Sequence, residues 1–242
     1  SISIDTIKSR SKLISQTEGY EITEGDFTQA AVADGANVTV TRIDAPHPLD
    51  QLSAAGSPIN LSPLSVKTFD DENSELNWLA RKISEDITAG LDPWDLMVTA
   101  PRGPNENEYF KRLQEQLARL HQINSVIAGV DTPPEIFRMD GHVTLASIFR
   151  SKGNEANKVY ACRFQYATKP EAWREETEVN KRNEAFVALT RSKLWCVVSG
   201  VESVSPVFDE LRSLIEQTPS ITFRAYNKIS LQRVIEDETD ES

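Results

Sequence analysis

From Ser74 onward the apolar positions recur at helical spacing: Leu76, Leu79, Ala80, Ile83 and Ile87 fall on one stripe, as a helix with one buried face requires. Asp70, Asp71 or Ser74 can cap its start, and Gly90 follows its last turn. A second stripe, Tyr109, Phe110, Leu113, Leu117 and Leu120, predicts a helix over Glu106–His121. Between and after these helices the period changes. Asp95–Thr99, enclosed by Pro93 and Pro101, and Ser125–Ala128 are short apolar runs that predict buried strands.

The same rhythm continues to the C-terminus, with strands over Val143–Ile148, Lys158–Phe164 and Leu194–Ser199, helices over Val179–Thr190 and Pro206–Gln217, and a last strand near Ile221–Phe223. Strand, helix, strand alternation requires parallel pairing with helices on the sheet faces. The predicted fold is therefore α/β, an open and mainly parallel sheet covered on both faces. Upstream, Asn37–Ile43 alternates as a half-buried strand does, and Asp44–Leu64, rich in Pro, Ser, Ala and Gly, predicts a long surface loop. Gly129–Gly141, with Pro133 and Pro134, is a connector. The expected organisation is an N-terminal segment 1–65 without assignment, one α/β domain over 66–235, and an acidic tail 236–242. Ser1 is not Met, so the chain reads as cut from something longer.

Composition narrows the classes. No apolar run approaches a membrane span and no secretory leader is visible, so a cytoplasmic protein without membrane partners is expected. Cys162 and Cys196 lie in apolar runs and read as buried reduced thiols. His47, His121 and His142 are scattered, which predicts no metal site, and the absence of a Gly-x-Ser-x-Gly elbow disfavours a hydrolase of that type. A net charge of −11 excludes a surface that coats nucleic acid throughout. Yet residues 138–164 hold Arg138, Arg150, Lys152, Lys158 and Arg163 against Asp140 and Glu155, a local balance of +3. That segment can be read as a basic seam for a polyanion, or as chance variation between solvated faces.

Two stretches carry chemistry. In Ser151-Lys-Gly-Asn-Glu155 a strand gives way to a turn at Gly153 whose N–H groups, beside Lys152, suit an anion, while Glu155 can accept from sugar hydroxyls. In Val187-Ala-Leu-Thr-Arg191 an apolar helix ends in an arginine, which either complements the helix C-terminus or aims its planar fork at a phosphate.

Val143-x-Leu-x-Ser-Ile-Phe-Arg-Ser-Lys-Gly-Asn-Glu155 resembles the fifth motif of UvrD/Rep-type superfamily 1 helicases, V-x-L-x-T-I-H-K-S-K-G-L-E. Arg182-x-x-x-Phe-Val-Ala-Leu-Thr-Arg-Ser-Lys193 resembles the sixth, R-R-L-x-Y-V-A-L-T-R-A-K. The specific part of the resemblance covers 143–199; a looser part, the strand and helix that open the same domain, reaches back to about residue 74. It implies a RecA-like, P-loop-NTPase-like second motor domain of an ATP-dependent DNA helicase. In that role Arg191 is the arginine finger at the γ-phosphate, Glu155 the ribose contact, and Gly153 and Lys152 lie beside the phosphates. Arg182 is one of a pair of arginines before the sixth motif, and Ser147, Phe149 and Arg150 face a bound single strand.

The chain departs from the pattern at Phe149, where the family prefers His, at Asn154, where it has Leu, and at Asn183, which replaces the second paired arginine. Phe149 exchanges a hydrogen bond for a stacking face. No Gly-Lys dipeptide occurs, so the chain lacks its own phosphate-binding loop, and the connector 129–141 is too short for the large accessory subdomain of UvrD-type enzymes. ATP with Mg²⁺ would be completed only by an N-terminal RecA-like domain of the same polypeptide. The chain alone is expected to be inactive, and single-stranded DNA is preferred over RNA as its nucleic-acid partner. Two alternatives stand beside this: a freestanding, non-hydrolysing RecA-like module that binds nucleic acid or protein, and a flavodoxin-like domain in which Glu155 and Arg191 are ordinary surface residues.

Overall fold

The computed structural model describes residues 20–26, 35–42, 63–168, 177–202, 207–217 and 220–224. They fall into two compact units, one spanning Ser62–Arg212 and the other drawn from the two chain ends, Ser1–Leu61 with Ser213–Ser242.

The terminal unit contains β1 (Tyr20–Glu24), β2 (Asn37–Arg42) and, from the far end of the chain, β9 (Ser220–Arg224). They form an antiparallel sheet in the order β1-β2-β9. Alternation along β2 buries Val38 and Val40 and leaves Thr39 between two neighbours, its hydroxyl 2.9 Å from that of Thr222. The last strand foreseen near 221–223 thus exists, but it pairs with β2. The two strands are far apart in sequence, and no local pattern reveals such a pairing. The tail 236–242 and nearly all of the loop expected over 44–64 lie outside the described residues.

The larger unit is built on β3 (Leu64–Phe69), β4 (Leu96–Ala100), β5 (Ser125–Ile127), β6 (Val143–Ser147), β7 (Ala156–Ala161) and β8 (Ser192–Val201). The sheet is six-stranded, in the order β3-β8-β7-β4-β6-β5, with every pairing parallel. Its central strands are buried on both faces: all five residues of β4 are buried. This is why their sequence reads as continuous apolar runs rather than alternation.

One face is covered by α1 (Glu72–Thr88) and α2 (Glu106–His121). The predicted stripes meet there: Leu76, Leu79, Ile83, Tyr109, Phe110, Leu113 and Leu117 pack on Leu96, Val98, Leu145 and Tyr160. Each fully buried Leu or Ile contributes about 1.5–3 kcal/mol relative to exposure. The α1 stripe is placed by Asp71, whose carboxylate accepts from the Ser74 N–H at 2.9 Å and so caps the helix.

The opposite face carries α3 (Ile148–Ser151), α4 (Glu178–Leu189) and residues 207–212 of α5 (Val207–Gln217). Ile148, Ala185, Ala188, Val207, Phe208 and Leu211 pack there on Ala161, Cys196 and Val198. The architecture is α/β, with a parallel sheet between helices, an arrangement compatible with a RecA-like domain. Both cysteines are free and buried.

Three local boundaries differ from the pattern reading. β6 stops at Ser147 because that residue caps the short α3. β7 begins at Ala156 and ends before Phe164, which opens a 3₁₀ turn over Phe164–Thr168. β3 takes in Leu64, the last residue of the predicted loop: it is an edge strand whose alternate residues Ser65 and Lys67 are exposed, a weak signal in so short a run.

Candidate functional site: a sheet edge and a cleft

Ser147 ends β6, and its Oγ accepts from the Arg150 N–H at 3.4 Å. The single turn of α3 is then closed by Ser151, which donates to the Ile148 carbonyl at 2.9 Å, and by Asn154, whose Nδ2 donates to the Arg150 carbonyl at 3.4 Å. That last bond is a physical reason for a polar residue where the resembling family has Leu. Gly153 reverses the chain with φ +85°, a backbone that favours glycine, and a Cβ placed there would meet no atom within 4 Å. Glu155 follows, exposed, and β7 begins.

On the other side of β7, α4 ends at Leu189 and Arg191 leads into β8. The Ala156 N–H donates to the Arg191 carbonyl at 3.0 Å, so Glu155 and Arg191 stand beside each other at the N-terminal edge of two paired strands. The Arg191 guanidinium turns back on its own helix: Nε donates to the Val187 carbonyl at 3.0 Å and Nη2 to Thr190 Oγ1 at 3.1 Å. It is thus a C-terminal cap, a favourable place for a cation. Arg138 completes this edge. Its guanidinium donates to the Glu155 carbonyl and lies 5.5 Å from the half-exposed ring of Trp94; burial pulls its pKa below the ordinary arginine value.

From this edge a cleft of about 390 Å³ runs between α3 and α4, lined by Phe149, Lys152, Asn180, Asn183, Glu184 and Val187 and reaching Arg102. Phe149 is 52 % exposed, and the Arg102 guanidinium carbon sits 4.2 Å from its ring centroid, a cation–π contact. The Arg102 main chain is clamped to α4. Its N–H donates to Glu184 Oε2 at 3.2 Å, and its carbonyl accepts from Lys181 Nζ at 2.9 Å. Lys181 is fully buried and also lies 3.5 Å from Glu184 Oε2, so it is a pinned structural cation.

Behind the clamp lies a charged core that the sequence conceals. Glu75 is fully buried, accepting from the Ser199 hydroxyl at 2.6 Å and the Arg163 N–H at 2.9 Å. Burial raises its pKa against those two bonds. Arg163, 2 % exposed and at φ +54°, donates to the Pro104 carbonyl at 2.5 Å and lies 3.3 Å from Glu72. Glu106 sits beside Arg163 and Arg102. Burial outweighs these cations and Lys181 and pushes its pKa up to about 7.

The foreseen residues therefore divide. Gly153, Glu155 and Arg191 share the sheet edge, and Lys152 and Phe149 share the adjoining cleft. Arg182 stands elsewhere, in a two-pronged ion pair with Glu210 at 2.9 and 3.0 Å. It stands nine positions before Arg191 in the chain, of order 13 Å along a helix. Ser147 spends its hydroxyl as a cap. Arg150 points away from the cleft, donating to the Pro134 carbonyl at 3.2 Å with its guanidinium against Gly129. The basic seam does not assemble: Lys158 pairs with Asp86 at 2.6 Å, Arg163 is buried, and Arg138 and Arg150 donate to carbonyls on different loops. No pattern in the sequence singles out Arg102 or Glu184, which line the cleft with Phe149 only through tertiary packing, and Arg138, counted in the basic seam, instead donates to the Glu155 carbonyl.

Among the described residues no helix is long and apolar enough to cross a membrane. No family model matches this sequence, and no curated protein matches it. Among solved structures the chain is similar to the C-terminal domain of a possible DNA helicase from Lactobacillus plantarum WCFS1, at 13 % identity and TM-score 0.41, covering 64 % of this chain and 83 % of that one. That is a remote likeness, and the α/β architecture of this chain rests on its own parallel sheet and helices.

Proposed function

We propose that this chain is the C-terminal motor domain of an ATP-dependent DNA helicase or translocase of the UvrD-like superfamily 1 kind. It would contribute one wall of an ATP site and part of the track for a single DNA strand. The observation that carries the reading is the main-chain bond from Ala156 to Arg191, which brings the Glu155 and Arg191 stretches of backbone together at the N-terminal ends of β7 and β8.

The residues of this edge fit half of a nucleotide site. The turn at Gly153 is open above its Cα, Glu155 is exposed, and Lys152 and Arg191 supply positive charge. The other half is not in the sequence, which has no Gly-Lys of a phosphate-binding loop. Bound ATP supplies the phosphoanhydride whose cleavage drives closing and opening of two motor domains. Glu155 would accept from the ribose hydroxyls, and the Gly153 turn would let main-chain N–H groups approach the anion. Arg191 would release the Val187 carbonyl and extend its fork to where charge grows on the γ-phosphoryl oxygens. Along the cleft, Phe149 would present its ring to a base of the single strand.

The freestanding-module alternative draws on one feature, the Arg191 side chain already satisfied as a helix cap. A direct test compares ATP hydrolysis by this chain alone with hydrolysis by the whole polypeptide carrying a phosphate-binding loop, with and without single-stranded DNA. DNA-stimulated turnover by the whole protein and none by the chain alone is expected; turnover by the chain alone contradicts a shared site.

A further inference from the structure

The N-terminal edge of the sheet carries one more group, on the strand beyond β7. Trp94 lies in a 3₁₀ turn, Pro93–Asp95, that leads directly into β4. Its main chain is fixed there, the N–H donating to the Asp92 carboxylate at 2.9 Å, while the residue stands 42 % exposed. Leu96 pairs with Lys158 and Ser192 with Ala156. Counting back along the three strands sets Trp94, Glu155 and Arg191 close to one level at neighbouring strand starts. Arg138 ties two of them together: its guanidinium donates to the Glu155 carbonyl, and the guanidinium carbon lies 5.5 Å from the Trp94 ring centroid.

The strand order β8-β7-β4 thus presents a cation, a carboxylate and an aromatic ring in succession across the edge. Adjacent strands stand about 4.8 Å apart, so the row spans about 10 Å. A nucleoside triphosphate carries its phosphates, sugar and base in that same order. We infer that Trp94 is the platform on which the nucleobase of the bound triphosphate stacks while its ribose lies at Glu155 and its γ-phosphate at Arg191. The inference rests on the reading of this edge as half of a nucleotide site and deepens it. Every base has a π-face, so an indole serves any of them and selects none. Arg138 keeps the ring beside Glu155, because one guanidinium contacts both. The base takes no part in the chemistry, so stacking is equal in the ground and transition states, and its loss falls on KM rather than on kcat.

Steady-state hydrolysis of ATP and of ribose 5-triphosphate, which has no base, tests this in the whole polypeptide carrying a phosphate-binding loop, with single-stranded DNA saturating. W94A is expected to raise KM for ATP about ten-fold, the loss of one stacked base, and to leave KM for ribose 5-triphosphate within about two-fold of the parent. W94F keeps a π-face and is expected to stay within about three-fold of the parent on ATP. E155A, which removes the ribose contact, raises KM for both substrates. Circular dichroism checks that each variant folds. An equal rise for both substrates in W94A makes Trp94 a support of the edge and overturns the platform. A KM for ATP unchanged by W94A overturns it too, the nucleotide edge then standing on the E155A result. KM values unchanged by W94A and by E155A, or no hydrolysis by the parent, overturn both readings.

Discussion

The main-chain N–H of Ala156 donates to the carbonyl oxygen of Arg191 across 3.0 Å. Through that bond the residue following Glu155 is laced to the residue that ends the α4 turn, so the two chemistry-bearing stretches become one edge. The pairing of β7 with β8 makes this juxtaposition unavoidable, because their first residues are in register. An edge of this kind depends on the turn before it, on the charged core behind it and on the release of the Arg191 side chain.

The turn is open to a simple substitution. G153A adds a methyl group that meets no atom within 4 Å, so its cost is the left-handed backbone alone, about 1–2 kcal/mol. Urea unfolding should show that loss with an unchanged slope. A midpoint equal to the parent's would mean that the turn does not hold φ +85°.

Glu106 gives a pH dependence with a definite sign. Burial raises its pKa from 4.5 to about 7 in the folded state. Between those values the folded chain binds a proton that the unfolded chain has lost, so its contribution to stability is present below pH 4.5 and disappears as the pH rises through about 7. Denaturation midpoints at pH 5 and pH 8 should differ less in E106Q than in the parent. An identical difference would remove the assignment.

The buried Glu75 follows the same sign, its pKa being raised by burial. E75Q keeps an acceptor for the Ser199 hydroxyl and the Arg163 N–H without a carboxylate to desolvate, and it should be at least as stable as the parent at pH 8. E75A strands both donors and should cost about 3 kcal/mol or more. Thermal unfolding of the two variants side by side decides it: equal losses would show that the hydrogen bonds carry no weight.

Arg182 is predicted to matter little at the nucleotide edge. Its ion pair with Glu210 is solvent-exposed, and such pairs contribute about 0.2–1 kcal/mol. R182A should therefore lower stability by no more than that and leave the Michaelis constant for ATP in the whole protein unchanged. A several-fold rise in that constant would return Arg182 to the site.

The strongly periodic parts of this fold were legible in the sequence. The stripes Leu76–Ile83 and Tyr109–Leu117 become buried faces because helical spacing maps directly onto one side of a cylinder. The all-apolar β4 had to be central, since a parallel strand is buried on both faces. What stayed hidden was set by partners distant along the chain. β9 meets β2, and Arg163 meets Glu75 and Glu72. Charged residues read one at a time suggest a wet surface and hence a basic seam, where the folded chain buries Arg163 and pairs Lys158 with Asp86. For the candidate site, order and spacing pointed to Gly153, Glu155 and Arg191. The cap made by Ser147, the diversion of Arg150 and the Arg102–Phe149 contact required tertiary packing to be seen.

The most direct measurement is steady-state ATP hydrolysis by the whole protein with R191A, at saturating single-stranded DNA, alongside the affinity for a non-hydrolysable ATP analogue. R191A should lower kcat by about 10³-fold or more, with nucleotide affinity changed by no more than about three-fold, because the guanidinium acts on charge that develops only in the transition state. A turnover rate within about two-fold of the parent, with Arg191 then no more than the cap on Val187, would contradict it.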